Sequence, residues 1–308
     1  GIRVKGLTDA AIEKDLNEGK ILRTHVLRPT WHFVSPADIG WMLKLTAPKI
    51  KGFAKIHYRQ LGIDEAMLIR SKNVLTSALA NGKQLSREEL LPLFKNNKVN
   101  TDDTRISFLL MDAELDGLIC SGARKGKQFT YALLEERVPN LKQLDLEEAL
   151  ATLAKRYFIS RGPATVKDFA WWSGLNISDA KLGLELTRVF LNHEIINGQA
   201  YWFSNQLPEA KKSTGIYLLP AFDEYNIAYQ NRDFSIGPEY QIKTRNGIFK
   251  PSLLINGRVA GLWKRTEKKD TVLIEVNPFT KLSDLAARKI TVEAKRYGKF
   301  LGKKSLVQ

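Results

Sequence analysis

Apolar residues in this chain recur three and four positions apart in short runs, and the runs return in the same order. Ile106, Leu109, Leu110, Ala113 and Leu118 form one such stripe, which predicts an amphipathic helix with one buried face and its other faces in water. The same spacing predicts helices at Ile69 to Asn81, closed by Gly82, at Ser86 to Phe94, and at Asp103 to Asp116. Ser86 and Glu89 stand as a capping box, in which each side chain satisfies the other residue's orphan backbone N–H. After Leu115-Asp116-Gly117-Leu118-Ile119 the pattern shortens to a polar hairpin, Ser121 to Gly126, and a strand, Phe129 to Leu133.

That order is written again downstream. Leu146 to Ser160, Thr165 to Ser173 ended by Gly174, and Ser178 to Asn192 with Ser178 as N-cap read as three helices. Leu191 to Ile196 then turns at Asn197-Gly198 into Tyr201-Trp202-Phe203. Half of a further copy opens the chain: a helix from about Asp9 to Gly19, then Arg23 to Pro29 and Thr30-Trp31-His32-Phe33-Val34. A helix followed by two short strands reads as the third helix and wing of a winged-helix unit. The first copy is therefore expected to be incomplete.

The last third changes character. Beyond a Lys211 to Gly215 linker, short strands are expected at Ile216 to Pro220, Ile248-Phe249, Leu253 to Ile255, Val259 to Trp263 and Val272 to Val276. Asn256-Gly257 is the strongest short-range hairpin signal among them. Leu282 to Leu301 reads as a closing helix buried along Ala286, Ile290, Ala294, Tyr297 and Leu301. The expected fold class is α+β: three tandem winged-helix units, the first incomplete, then a small β-rich C-terminal domain with a closing helix. The expected boundaries are 1–62 for the remainder of the first unit with connecting helices, 63–137 and 138–210 for the two full units, and 211–308 for the last domain.

Composition narrows the function classes. The 308 residues, 44% of them apolar, suffice for several globular domains. One cysteine, Cys120, and four histidines leave no zinc finger, iron–sulfur cluster or disulfide framework, and fit a reducing, cytoplasmic compartment. No apolar run is long enough to span a bilayer, so no membrane partner is expected. Forty-eight basic residues against thirty-three acidic give a net charge of +15, a polyanion-facing balance. From Lys281 to the end, eight Lys or Arg face only Asp284 and Glu293. The helix at Asp103 to Asp116 runs against this trend: Asp102, Asp103, Asp112, Glu114 and Asp116 oppose a single Arg105, and such a helix would repel phosphates in a major groove.

Three separated motifs carry a resemblance. Arg23-Thr24-His25-Val26-Leu27-Arg28-Pro29-Thr30-Trp31-His32-Phe33-Val34, then Pro220-Ala221-Phe222-Asp223-Glu224-Tyr225, then Asn246 to Pro251 with Gly257-Arg258-Val259 and Gly261 and Trp263, resemble the AlkZ-like tandem winged-helix DNA glycosylases. The resemblance covers nearly the whole chain. It implies winged-helix units around a DNA channel, double-stranded DNA as the partner, a monomer, and hydrolysis of the N-glycosidic bond of bulky or cross-linked alkylpurines without metal or cofactor. It also implies a catalytic Gln-x-Gln or Gln-x-Asp motif in the first half of the first unit, and the chain is expected to lack it.

Candidate residues follow from these motifs. In the first hairpin, strand alternation puts Thr30 and His32 on one face and Trp31 and Phe33 on the other. His32 then either meets the substrate as a catalytic residue or is a satisfied core histidine in a wing packed by Trp31 and Phe33. Arg23, His25, Arg28 and Trp31 are candidate DNA contacts, with Arg124, Lys125 and Lys127 in the second wing. Lys264 and Arg265 read as a solvated turn that can also meet phosphate. Asp223 and Glu224, two adjacent carboxylates, either line the catalytic channel or form an N-cap and salt bridge. A DNA-binding regulator without catalysis and a protein–protein adaptor stay open beside the glycosylase.

Overall fold

A computed structural model describes residues 2–102, 104–207, 215–237 and 250–308, and the fold is mixed α+β. Asp103, most of the expected linker and the expected strand at Ile248-Phe249 lie outside the described residues. Two compact units are present: Glu13–Ser204, and Gly1–Ile12 with Asn205–Gln308.

The larger unit begins within α1 (Asp9–Asn17), which leads to the hairpin of β1 (Leu22–His25) and β2 (Trp31–Val34), as the sequence predicts. Its register sets His25 opposite Trp31 and Arg23 opposite Phe33. One 26-residue helix, α2 (Pro36–Leu61), follows where several connecting helices are expected. Pro36 opens it, where a missing N–H costs nothing, and Gly62 with φ 63 ends it.

The chain then runs α3 (Glu65–Leu79), β3 (Leu85–Ser86), α4 (Arg87–Asn96), α5 (Arg105–Leu115), β4 (Ile119–Lys125) and β5 (Gln128–Leu133). The Ser86/Glu89 capping box is formed. Two expectations are corrected. Ser121 to Gly126 is not a turn: β4 continues to Lys125, bulged between Ser121 and Arg124, and the chain reverses at Gly126-Lys127. Nor does α5 expose most of its surface, because α2, α3 and β1 all pack on it, so Ile106 and every residue from Leu109 to Leu115 are buried.

After the short α6 (Leu134–Arg137) come α7 (Leu146–Arg161), α8 (Val166–Ser173), α9 (Ile177–Thr187), β6 (Leu191–Ile196) and β7 (Gln199–Ser204). Tyr157, Phe158, Phe169 and Trp172 interlock as their core, with ring centroids 5.1 to 5.5 Å apart. The N-cap of α9 is Asn176 rather than Ser178, since Asn176 accepts the Asp179 N–H. The helix stops at Thr187, not Asn192, because Leu191 and Asn192 are already paired with Ser204 and Phe203.

The smaller unit holds β8 (Ile216–Leu219), α10 (Glu224–Ile227), β9 (Ser252–Ile255), β10 (Arg258–Glu267), β11 (Thr271–Pro278), α11 (Asp284–Leu301) and β12 (Lys304–Val307). They give a five-stranded sheet in the order β12-β11-β10-β9-β8. Asn256 and Gly257 turn with φ 51 and 81, as the hairpin signal requires. Ile290 and Ala294 of α11 pack on Trp263, Val272 and Ile274. No helix among the described residues is long and apolar enough to cross a membrane.

Candidate active site

The hairpin and α5 meet at one carboxylate. Glu114 is wholly buried, and its Oε2 accepts from Nδ1 of His25, from the His25 backbone N–H at 3.3 Å and from Trp31 Nε1 at 3.2 Å. Its Oε1 is buried with no hydrogen-bond partner among the described residues. Because Nδ1 of His25 is committed to the carboxylate, Nε2 is the nitrogen left to meet another hydrogen-bond partner. The two-residue strand period and the register put Arg23, His25, Trp31 and Phe33 on one face of the hairpin.

Arg23 is held by rings rather than by an acid. Its guanidinium lies 3.7 Å from the centre of Phe129 and 4.5 Å from that of Trp31. Burial pulls its pKa below the ordinary arginine value against the opposing pull of Tyr131 and Glu114. Tyr131 is pushed up to about 12 by burial and by the Glu114 charge. Burial likewise pushes the Cys120 thiol up to about 12, so it stays protonated and unreactive.

Beside this cluster lies a cavity of about 290 Å³, lined by His25, Trp31, Phe53, His57, Phe108 and Ser107 with Pro29, Ile50, Ala54 and Met111. His57 stacks on Phe108, ring centres 5.3 Å apart and planes at 24°. Phe53 is 63% exposed and Trp31 49%, so the rim of the cavity is aromatic and open to solvent. Among the described residues, no Lys, Arg, Asp or Glu side chain lines it.

Asp112 is also turned inward, and Asp116, the exposed C-cap of α5, shares its lysines. Asp112 is paired with Lys72 at 3.0 Å and Lys51 at 3.3 Å and accepts from Tyr58 at 3.2 Å; Asp116 is bonded to both lysines. Burial alone would raise the Asp116 pKa, but the hydrogen bonds from Lys51 and Lys72 outweigh it and hold it below the usual range. Of the acids expected on this helix, Asp112 is buried in an ion cluster with the exposed Asp116, and Glu114 is a buried hub.

The sequence-derived candidates are thus partly assembled. Arg23, His25 and Trp31 converge on Glu114, whereas His32 points to the other face, with its Nδ1 3.0 Å from the Thr30 carbonyl. Trp31 and Phe33, 49% and 61% exposed, do not pack the wing as its core. Arg28 is half-buried beside Gly174, the C-cap of α8. In the β4–β5 hairpin Arg124 faces Glu13 at 3.5 Å and Lys125 faces Glu89 at 2.7 Å, while Lys127 is exposed. Lys264 and Arg265 are on strand β10 rather than a turn, paired with Glu275 at 2.9 Å and Glu267 at 3.1 Å.

Asp223 and Glu224 belong to the smaller unit. Asp223 is buried, receives a two-pronged bond from Arg3 at 2.7 and 2.9 Å, and caps α10 by accepting the Tyr225 N–H. Glu224 is the first residue of that short helix. A Gln-x-Asp triplet does occur in the chain, Gln143-Leu144-Asp145, against the expectation that none is present. Asp145 is the N-cap of α7, joined in a capping box to Glu148, which accounts for its carboxylate. Sequence reasoning missed Glu114, Phe53, His57 and Phe108 as site residues; an acid set between Ala113 and Leu115 in an apolar stripe was the available signal. No group of three or more His, Cys, Asp or Glu among the described residues is placed to hold a metal ion.

Comparison with known proteins gives concordant results. The family described as DNA glycosylase AlkZ-like matches residues 1–300. An interstrand DNA cross-link repair glycosylase of Streptomyces sahachiroi is 24% identical, over 92% of this chain and 80% of its own. The solved structure of Streptomyces sahachiroi DNA glycosylase AlkZ has the same fold, with a TM-score of 0.76 over 97% of this chain and 84% of that chain, at 20% identity.

Proposed function

We propose a function that proceeds from family membership: the chain belongs to the AlkZ-like DNA glycosylase family. It acts as a monomer in the cytoplasm on double-stranded DNA, hydrolysing the N-glycosidic bond of bulky or cross-linked alkylpurines. The single observation that carries this reading is the family match along residues 1–300, and the relative named for interstrand cross-link repair supports the lesion class.

The chemistry asks little of the protein. An N7-alkylated purine is already a cationic leaving group, so the site must stabilise a sugar with oxocarbenium character and position a water. Polar or carboxylate side chains do both, with neither metal nor cofactor. Within this reading, α3, α4 and α5 with β4 and β5, and α7, α8 and α9 with β6 and β7, are two winged-helix units. Then α1 with β1 and β2 is the third helix and wing of another. The domain boundaries 1–62, 63–137, 138–210 and 211–308 belong to the same reading. Arg28 and Lys127 serve as backbone contacts; Arg124, Lys125, Lys264 and Arg265 do so by exchanging their acidic partners for phosphate. Arg23, His25 and Trp31 form the wall nearest the lesion, and His32 approaches from the opposite face. The Arg3 pair supports a structural duty for Asp223, and within this reading Glu224 is the carboxylate of that motif that faces the channel.

The test is base release. A duplex carrying one bulky N7-alkylguanine is incubated with the protein, and free modified base and an abasic site are expected, unaffected by EDTA. Duplex binding without release from any such adduct would instead favour the non-catalytic DNA-binding reading.

A further inference from the structure

The aromatic cavity has no assigned occupant, and its walls restrict the chemistry of any ligand. Phe53 and the stacked pair of His57 and Phe108 offer ring faces, which favour a flat partner. With no Lys or Arg among the described residues of the lining, nothing there compensates the desolvation of a phosphate or carboxylate. Behind the wall stands Glu114, buried, bonded to both His25 and Trp31, and holding one oxygen without a hydrogen-bond partner among the described residues. A carboxylate on Nδ1 makes Nε2 of His25 a stronger acceptor, and ring faces attract positive charge through their quadrupoles. Arg23, stacked on the lining residue Trp31, is itself outside the lining and already occupied by Phe129 and Trp31. At about 290 Å³ the space lies at the small end of ligand pockets, suited to one or two fused rings rather than a nucleotide.

We propose that this cavity is a binding site for a flat, positively charged heteroaromatic ring, with Phe53, His57 and Phe108 as the stacking surface and the His25–Glu114 pair reading its edge. Resting on the glycosylase reading, the natural occupant is the alkylated purine itself, taken out of the duplex stack.

The test uses free rings, so that it stands apart from base release. N-methylquinolinium, a permanent bicyclic cation, and quinoline, its neutral twin, are titrated into the intact chain at pH 8 and followed by calorimetry and tryptophan fluorescence. The cation is expected to bind roughly tenfold more tightly than quinoline. Phe53→Ala and His57→Ala, both at exposed positions, should each weaken it several-fold with unchanged melting temperature. Glu114→Gln should reduce the preference for the cation while leaving quinoline binding in place; where that variant melts early, the two exposed-site variants decide. Equal affinity for both rings would overturn the charge preference, and no binding, or binding unchanged in Phe53→Ala and His57→Ala, would overturn the site. Base release with no ring binding would leave the glycosylase reading standing and remove only this one. Ring binding without base release would do the reverse.

Discussion

His25 and Glu114 are hydrogen-bonded through Nδ1 and Oε2 across 89 residues of chain, and both side chains are withdrawn from water. The same oxygen takes the Trp31 indole N–H, so one carboxylate fixes two residues on neighbouring strands of the hairpin. Removing it leaves a buried imidazole and a partly buried indole without their acceptor. Glu114→Gln, which keeps an acceptor oxygen, is expected to lower stability by about 1–3 kcal/mol, and Glu114→Ala by about 3–5 kcal/mol. Urea unfolding measures both. Combined with His25→Ala, the losses should be clearly less than additive; additive losses would mean that the pair is not coupled.

The ion cluster on the far side of α5 gives a pH dependence with opposite signs at its two ends. The Asp116 pKa is depressed in the folded chain, so its contribution is present above the unfolded carboxylate value of about 3.9 and is lost as pH falls through the lower folded value. Burial lowers the Lys72 pKa, but the bonds to Asp116 and Asp112 outweigh it and raise it overall. Its contribution is present below about 10.4 and is lost as pH rises through the higher folded value. Asp116→Asn should therefore flatten the acid limb of the stability curve, and Lys72→Met the alkaline limb. Urea midpoints from about pH 2 to 11 provide the comparison, and an acid limb identical in wild type and Asp116→Asn would refute the assignment.

What was legible in the sequence was local. The Ser86/Glu89 box, the Asn256-Gly257 turn and the Ile290, Ala294 stripe are each decided within a few residues, and each forms as expected. The hub at Glu114 was not legible, because its partners lie far upstream and an acid in a helix reads by default as solvated. The rings around Arg23 were not legible for the same reason: Phe129, which covers it, lies on a strand more than a hundred residues away in sequence. Strand β12 went unseen because Lys304 to Val307 acquires strand character only by pairing in parallel with β11.

Charge placement predicts where salt dependence arises. Arg288, Lys295 and Lys299 lie seven and four residues apart, hence on one face of α11, are exposed, and have no ion pair among the described residues. By contrast Arg124, Lys125, Lys264 and Arg265 each share an acid. Replacing Arg288, Lys295 and Lys299 together by Gln should reduce the slope of log affinity against log salt for duplex DNA by up to about 2.7, or about 0.9 for each phosphate no longer neutralised. Lys127→Gln should remove about 0.9. A slope unmoved by the triple variant would place the phosphates on another surface.

Asp223 is the residue for which motif and geometry pull apart, and the two give different numbers. As a channel carboxylate it should govern the rate; as the buried partner of Arg3 and the N-cap of α10 it should govern folding. The pair is asymmetric, with the Arg3 side chain 57% exposed and that of Asp223 only 2%, so truncating Arg3 strands a buried charge. Arg3→Ala and Asp223→Asn are each expected to cost about 2–4 kcal/mol, and the double variant little more than either alone. Base release per folded molecule should stay within about threefold of wild type, less than the roughly tenfold that about 1.4 kcal/mol at the transition state would bring. A tenfold or greater loss of rate in Asp223→Asn at unchanged melting temperature would return Asp223 to the catalytic channel.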